Sequence, residues 1–85
     1  MTEEEFDVLD ELYFIQSFGA LAQTLSMPEA GLKEILHSLL QKGWIKCLES
    51  TSGELPADET GFENHYKNYY YLATKAGLLA HNSRF

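Results

Sequence analysis

The sequence holds one cysteine, two prolines and only six basic residues. A lone cysteine, Cys47, excludes an internal disulfide framework and any zinc site built on cysteines. Six Lys and Arg against thirteen Asp and Glu leave a net charge of -7, which is not the footprint of a protein held to nucleic acid or anionic lipid by bulk charge. No apolar run approaches the roughly 18 residues of a membrane span. The acidic start, Met1 to Asp7, lacks the basic region of a secretory signal. No nucleophile–base pair, phosphate-cradling glycine loop or P-loop is present, which argues against an enzyme, and there is no internal repeat. His37, His65 and His81 lack metal-ligand spacing, so no metal and no cofactor is expected. The expectation is one soluble, cytoplasmic, non-enzymatic domain over residues 1–85. A chain this short buries only about 60–65% of its unfolded surface, so every element must serve one core.

What is present is mostly helix punctuation. Thr2 followed by Glu5 is a capping box, and Glu3 and Glu4 add favourable charge at the helix N-terminus. Phe6, Leu9, Leu12 and Tyr13 then recur at helical spacing, predicting a first helix over about 2–16. Ser17-Phe18-Gly19 breaks the run before a short second helix over 19–25. Ser26-Met27-Pro28-Glu29 repeats the S-x-x-E pattern, with Pro28 in a first turn. Leu32, Ile35, Leu36, Leu39 and Leu40 form one apolar stripe and Gly43 a C-cap, predicting a third helix over 27–42. Residues 44–49 and the aromatic 68–72 read as strands joined by a polar loop over 50–67, and Thr74 caps a last helix over 74–81. Cys47 reads as a small apolar core residue.

Leu21-Ala22-x-x-Leu25, then Leu32, Ile35, Leu36 and Leu39, then Gly43-Trp44-Ile45 resemble the L-A-x-x-L … L-x-x-x-L-x-x-x-G-[LWY]-[IV] series of bacterial winged-helix transcriptional regulators, including the multiple-antibiotic-resistance and PadR types. Tyr71-x-Ala73-Thr74-Lys75-Ala76-Gly77 is similar to the Y-x-L-T-x-x-G that follows the wing there, with Ala73 in place of the usual leucine. Together the two matches span about residues 18–80. The resemblance implies an α+β, mainly α fold: a three-helix winged helix-turn-helix with a two-stranded β-hairpin wing and a short C-terminal helix. It also implies a transcriptional regulator that binds double-stranded DNA as a homodimer. The first helix and the terminal helix with Leu78 and Leu79 would form the seam.

A helix-turn-helix domain lays its third helix in the major groove. On that reading Glu29 and the outward residues Ala30, Glu34, His37, Ser38 and Gln41 face bases, with Lys33 on the flank. Lys42, Lys46 and Lys67 supply the remaining phosphate contacts. The face holds no arginine, the commonest reader of guanine. Residues 1–30 carry seven acids and no base, and residues 49–63 five acids and no base. The wing loop, which in the regulators lies on the DNA backbone, contributes Glu54, Asp58, Glu59 and Glu63, carboxylates that would face phosphate. A second reading therefore stands beside the first: an acidic winged-helix module that binds a protein partner and no DNA. Tyr66, Tyr69, Tyr70 and Tyr71 are its candidate surface, since tyrosine is enriched at interfaces. The same aromatics suit a small core, and alternation sends Tyr69 and Tyr71 to one side and Tyr70 and Leu72 to the other.

Overall fold

The computed structural model describes residues 1–51, 56–57 and 59–83. Helix α1 spans Glu3–Glu11 and opens on the expected capping box: the Thr2 side chain accepts from the Glu5 N–H, and Glu5 Oε1 accepts from the Thr2 N–H at 2.9 Å. The helix ends at Leu12 rather than near Gln16. Tyr13, Phe14 and Ile15 are poor helix formers, and the Leu12 carbonyl accepts from the Ala73 N–H at 2.9 Å instead of continuing the helix. Gln16–Ser17 become strand β1.

Helix α2, Phe18–Leu25, is capped by the Ser17 side chain, which accepts from the Ala20 N–H. Ser26 takes the left-handed conformation (φ 53°), and the Met27 N–H reaches the Ala22 carbonyl. Ser26 thus closes α2 and does not cap the next helix. Helix α3, Glu29–Gln41, starts after Pro28 with no side-chain cap, so the second capping box is corrected. Lys42 ends α3, and Gly43 (φ 73°) then turns the chain so that the Trp44 N–H meets the Leu39 carbonyl.

Strand β2, Ile45–Leu48, leads into residues that rejoin the sheet at Pro56, opposite Leu48. From there Glu59–Gly61 form a 3₁₀ turn, Phe62–His65 one turn of helix, α4, and Tyr66–Asn68 a second 3₁₀ turn. The expected open wing loop over 50–67 is therefore partly helical, and its described part folds back on the domain. Glu54 and Asp58 lie outside the described residues. Strand β3 is Tyr70–Ala73, and helix α5 is Lys75–Asn82 with the Thr74 side chain accepting from the Gly77 N–H.

The sheet has three strands, in the order β1-β3-β2, where the sequence predicts a two-stranded hairpin. Both pairings are antiparallel, with Gln16 opposite Tyr71 and Cys47 opposite the same tyrosine. The additional strand satisfies the outer edge of β3, which would otherwise present unpaired backbone groups. Val8, Leu9 and Leu12 of α1, Leu32, Leu36 and Leu39 of α3, and Ile45, Cys47 and Tyr71 of the sheet are buried together. Burying each such leucine contributes about 1.5–3 kcal/mol. This core fixes α3 with its opposite face outward.

Candidate interaction face on the third helix

Ala30, Glu34, His37 and Gln41 lie exposed along the outer face of α3, as the apolar stripe predicts, with Glu29 at its start. The cations around that face are already partnered. Lys33 Nζ lies 2.7 Å from Glu63 Oε2, and Lys67 Nζ lies 2.7 Å from Glu29 Oε2. The ring of Tyr66 sits between them, 5.0 Å from Lys33 Nζ and 6.0 Å from Lys67 Nζ. Glu63 and Glu29 raise the pKa of Lys33 and Lys67 respectively, and Lys33 in turn lowers that of Glu63.

Ser38 and Lys42 turn away, toward α1. Ser38 Oγ donates to Glu5 Oε2 at 2.9 Å and Lys42 Nζ to the same oxygen at 2.7 Å. Burial pushes the Glu5 carboxyl up, but Lys42, the Thr2 backbone and the Ser38 hydroxyl outweigh it and hold the pKa at about 2. Lys42 also lies 4.8 Å from the Trp44 ring centroid. Lys46 stands on β2 opposite Leu72, exposed and in no ion pair with another described residue. The ten expected DNA-facing residues thus divide into Glu29, Ala30, Lys33, Glu34, His37 and Gln41 with Lys67 beside them, a pair drawn to Glu5, and Lys46 apart.

The segment 59–68 flanks α3. The rings of His37 and Phe62 stack at 5.8 Å with an interplanar angle of 14°, and Tyr66 meets Phe18 edge-on at 5.1 Å. Phe62 is buried, and its edge contact with Tyr71 roots the turn in the core. The apolar pair Phe62 and Tyr66, four residues apart in a polar stretch, is the sequence signal for this turn. Two open hollows result. One, of about 360 Å³, lies between His37, Leu40 and Gln41 of α3 and Glu59, Thr60 and Phe62 opposite. The other, of about 330 Å³, continues it toward Ala30, Lys33 and Glu34; both are bordered by His37 and Glu63.

The tyrosine surface is corrected for two of its four members. Tyr71 is fully buried and donates its hydroxyl to the Tyr66 carbonyl at 2.7 Å, and Tyr69 is also buried. Tyr71 lies on the central strand, β3, with its side chain toward the core, and Tyr69 lies just before it on the same side. Tyr66 and Tyr70 are half-buried, and the predicted alternation, with Tyr70 and Leu72 on the other side, is observed. Cys47 is buried, and burial pushes its thiol up to about 12. Among the described residues no three His, Cys, Asp or Glu side chains come together to hold a metal, and no helix is long and apolar enough to cross a membrane.

Three helices, a three-stranded antiparallel sheet whose β2–β3 connection carries α4, and a closing helix define a winged-helix domain. Among solved structures the fold is similar to that of MarR repressors. The wild-type apo form of MarR from E. coli superposes with a TM-score of 0.73 at 20% identity, over 96% of this chain and 53% of that one. A cysteine-to-serine MarR mutant from E. coli gives 0.74 at 19% identity with the same coverage. A structure described as the multiple antibiotic resistance repressor, MarR, gives 0.74 at 20%, over 96% and 52%. The chain spans about half the length of these proteins. No family model matches the sequence, and no curated protein matches it.

Proposed function

We propose that this chain is a non-enzymatic winged-helix regulatory module whose working surface is the outer face of α3 with its 59–68 flank, and that this surface receives a protein rather than DNA. One observation carries the reading: three of the four lysines available for phosphate are held by the chain's own carboxylates, at Glu63, Glu5 and Glu29. Strong DNA binders neutralise roughly 6–10 phosphates. Here Glu29, Glu34, Glu59 and Glu63 would stand among those phosphates, and Phe62 and His37 thicken one flank of a helix that must otherwise enter the groove alone. The module is taken to be cytoplasmic and to act as a homodimer.

The second reading, a transcriptional regulator binding operator DNA through α3, is favoured by the likeness to MarR repressors over nearly the whole chain. The Lys33–Glu63 and Lys67–Glu29 pairs are solvent-exposed, and such pairs yield readily to a competing anion. Fluorescence anisotropy of a labelled duplex, titrated at about 50 and about 200 mM salt, decides between the two. The protein-facing reading predicts no binding at either salt. Binding that weakens steeply with salt, and is lost in Lys33→Glu with Lys67→Glu, establishes the DNA reading instead.

A further inference from the structure

We infer that the trough between α3 and the 59–63 turn is a docking site for a cationic segment of a partner protein that carries an apolar side chain. This deepens the protein-facing reading above and rests on it. The floor is carbon: Leu40 and Phe62 are buried beneath it, and the His37 ring lies flat against Phe62. The exposed lining of the first hollow is mainly apolar. A hollow of about 360 Å³ accommodates one large side chain, the kind of central anchor on which interfaces depend.

The rim selects the charge. Glu59 borders one end and Glu34 the other, both exposed and neither in an ion pair with another described residue. Glu63 stands between them, opposed by Lys33 and, beside it, His37. A phosphate backbone, an acidic peptide or a second copy of this chain, itself at -7, would meet mostly like charge along this edge. From Ala30 to Gln41 the trough follows α3 for roughly 17 Å at about 1.5 Å per residue. That length matches three turns of a bound helix or about five residues of extended chain. An occupant with lysine or arginine on both sides of a leucine-sized anchor satisfies floor and rim together.

The test uses the full ¹⁵N-labelled chain and a synthetic helical peptide with leucines on one face and lysines and arginines on the other. Two control peptides replace the leucines by serine or the basic residues by glutamate, and a generic DNA duplex is titrated in parallel. The inference expects amide shifts at His37, Gln41, Thr60 and Phe62. It expects binding to weaken about tenfold with the serine peptide and again with Glu34→Lys combined with Glu59→Lys. That variant leaves the Lys33–Glu63 pair in place, and circular dichroism checks its fold. Shifts confined to the acidic α1, or equal binding of the serine peptide, overturn the trough while leaving a protein-facing module. Failure of every peptide to bind overturns it too. A duplex that shifts the α3 amides where the peptide does not overturns both the trough and the reading beneath it.

Discussion

Glu5 joins the two ends of the helical layer through one oxygen. Its side chain is only 5% exposed, and Oε2 receives both Lys42 and Ser38 from α3 while Oε1 receives the Thr2 backbone. The folded carboxyl sits at about 2 against an ordinary 4.5, because those donors outweigh the opposing effect of burial. A carboxylate depressed in the fold stabilises it fully above the ordinary value and loses that contribution as pH falls from about 4.5 to about 2. With Lys42 partly in water, about 2 kcal/mol is expected at pH 7. Urea melts should show Glu5→Gln less stable by about that amount at neutral pH and converging on the wild type near the lower limit. Cys47 makes a different statement. A buried thiol with its pKa near 12 should resist an aromatic disulfide reagent in the native state and react only in denaturant. The sequence shows half of this scale. Thr2 and Glu5 are legible because a capping box spans three residues, whereas Ser38 and Lys42 meet Glu5 only through the fold.

Elements were legible where local chemistry decides them and obscure where a partner does. Gly43 turns the chain as its position after the apolar stripe predicts. Ser26 misleads because the same serine that caps a helix start also adopts the left-handed close of α2, and Met27's hydrogen bond to Ala22 settles the choice. The motif around Gly77 has a steric cause: a Cβ there would run into the Trp44 carbonyl. Thr74 sits at the same junction, donating its hydroxyl to the Gly43 carbonyl and its N–H to that of Trp44. Gly77→Ala should therefore destabilise by at least about 2 kcal/mol, through overpacking against rigid backbone. Gly19→Ala, with nothing within 4 Å, should be neutral or stabilise by up to about 1 kcal/mol. Phe62 is the buried anchor of the 59–68 turn. Phe62→Ala should cost about 3 kcal/mol in chemical denaturation and abolish the ring-current shifts of His37. Its approach to α3 joins residues some thirty positions apart, as Lys33 and Glu63 are, and no spacing in the sequence announces that.

At the scale of the molecule, charge is arranged so that α3 is bordered by carboxylates on both flanks, Glu4 and Glu5 on the α1 side and Glu59 and Glu63 on the other. The net charge is legible at once, but its pairing is not, because ion pairs depend on which surfaces the core brings together. The most exposed large apolar residues among those described lie elsewhere. Phe14 is 77% exposed and Leu79 58%, and Tyr13 beside Phe14 donates its hydroxyl to Asn82 at the end of α5. The homodimer proposed above should use this surface, beside the end of α1 and along α5, where the sequence also points through Leu78 and Leu79. Sedimentation equilibrium should give a dimer that Phe14→Ser converts to monomer without loss of helical signal.

The order of the sheet also bears on when this chain can acquire its shape. Among the described residues β1 pairs only with β3, whereas β2 pairs with β3 and, at Leu48, with Pro56; β3 is made after all of these. Until residues 70–73 have been synthesised, β1 has no strand to lie on, β2 has only the short contact with Pro56 and Ala57, and Leu12, Ile45 and Cys47 have no Tyr71 to enclose them. During translation the helices can gather first, and residues 70–73 then close the sheet late, through contacts distant in sequence. A nascent chain arrested before Tyr70 should therefore present an open apolar layer to chaperones.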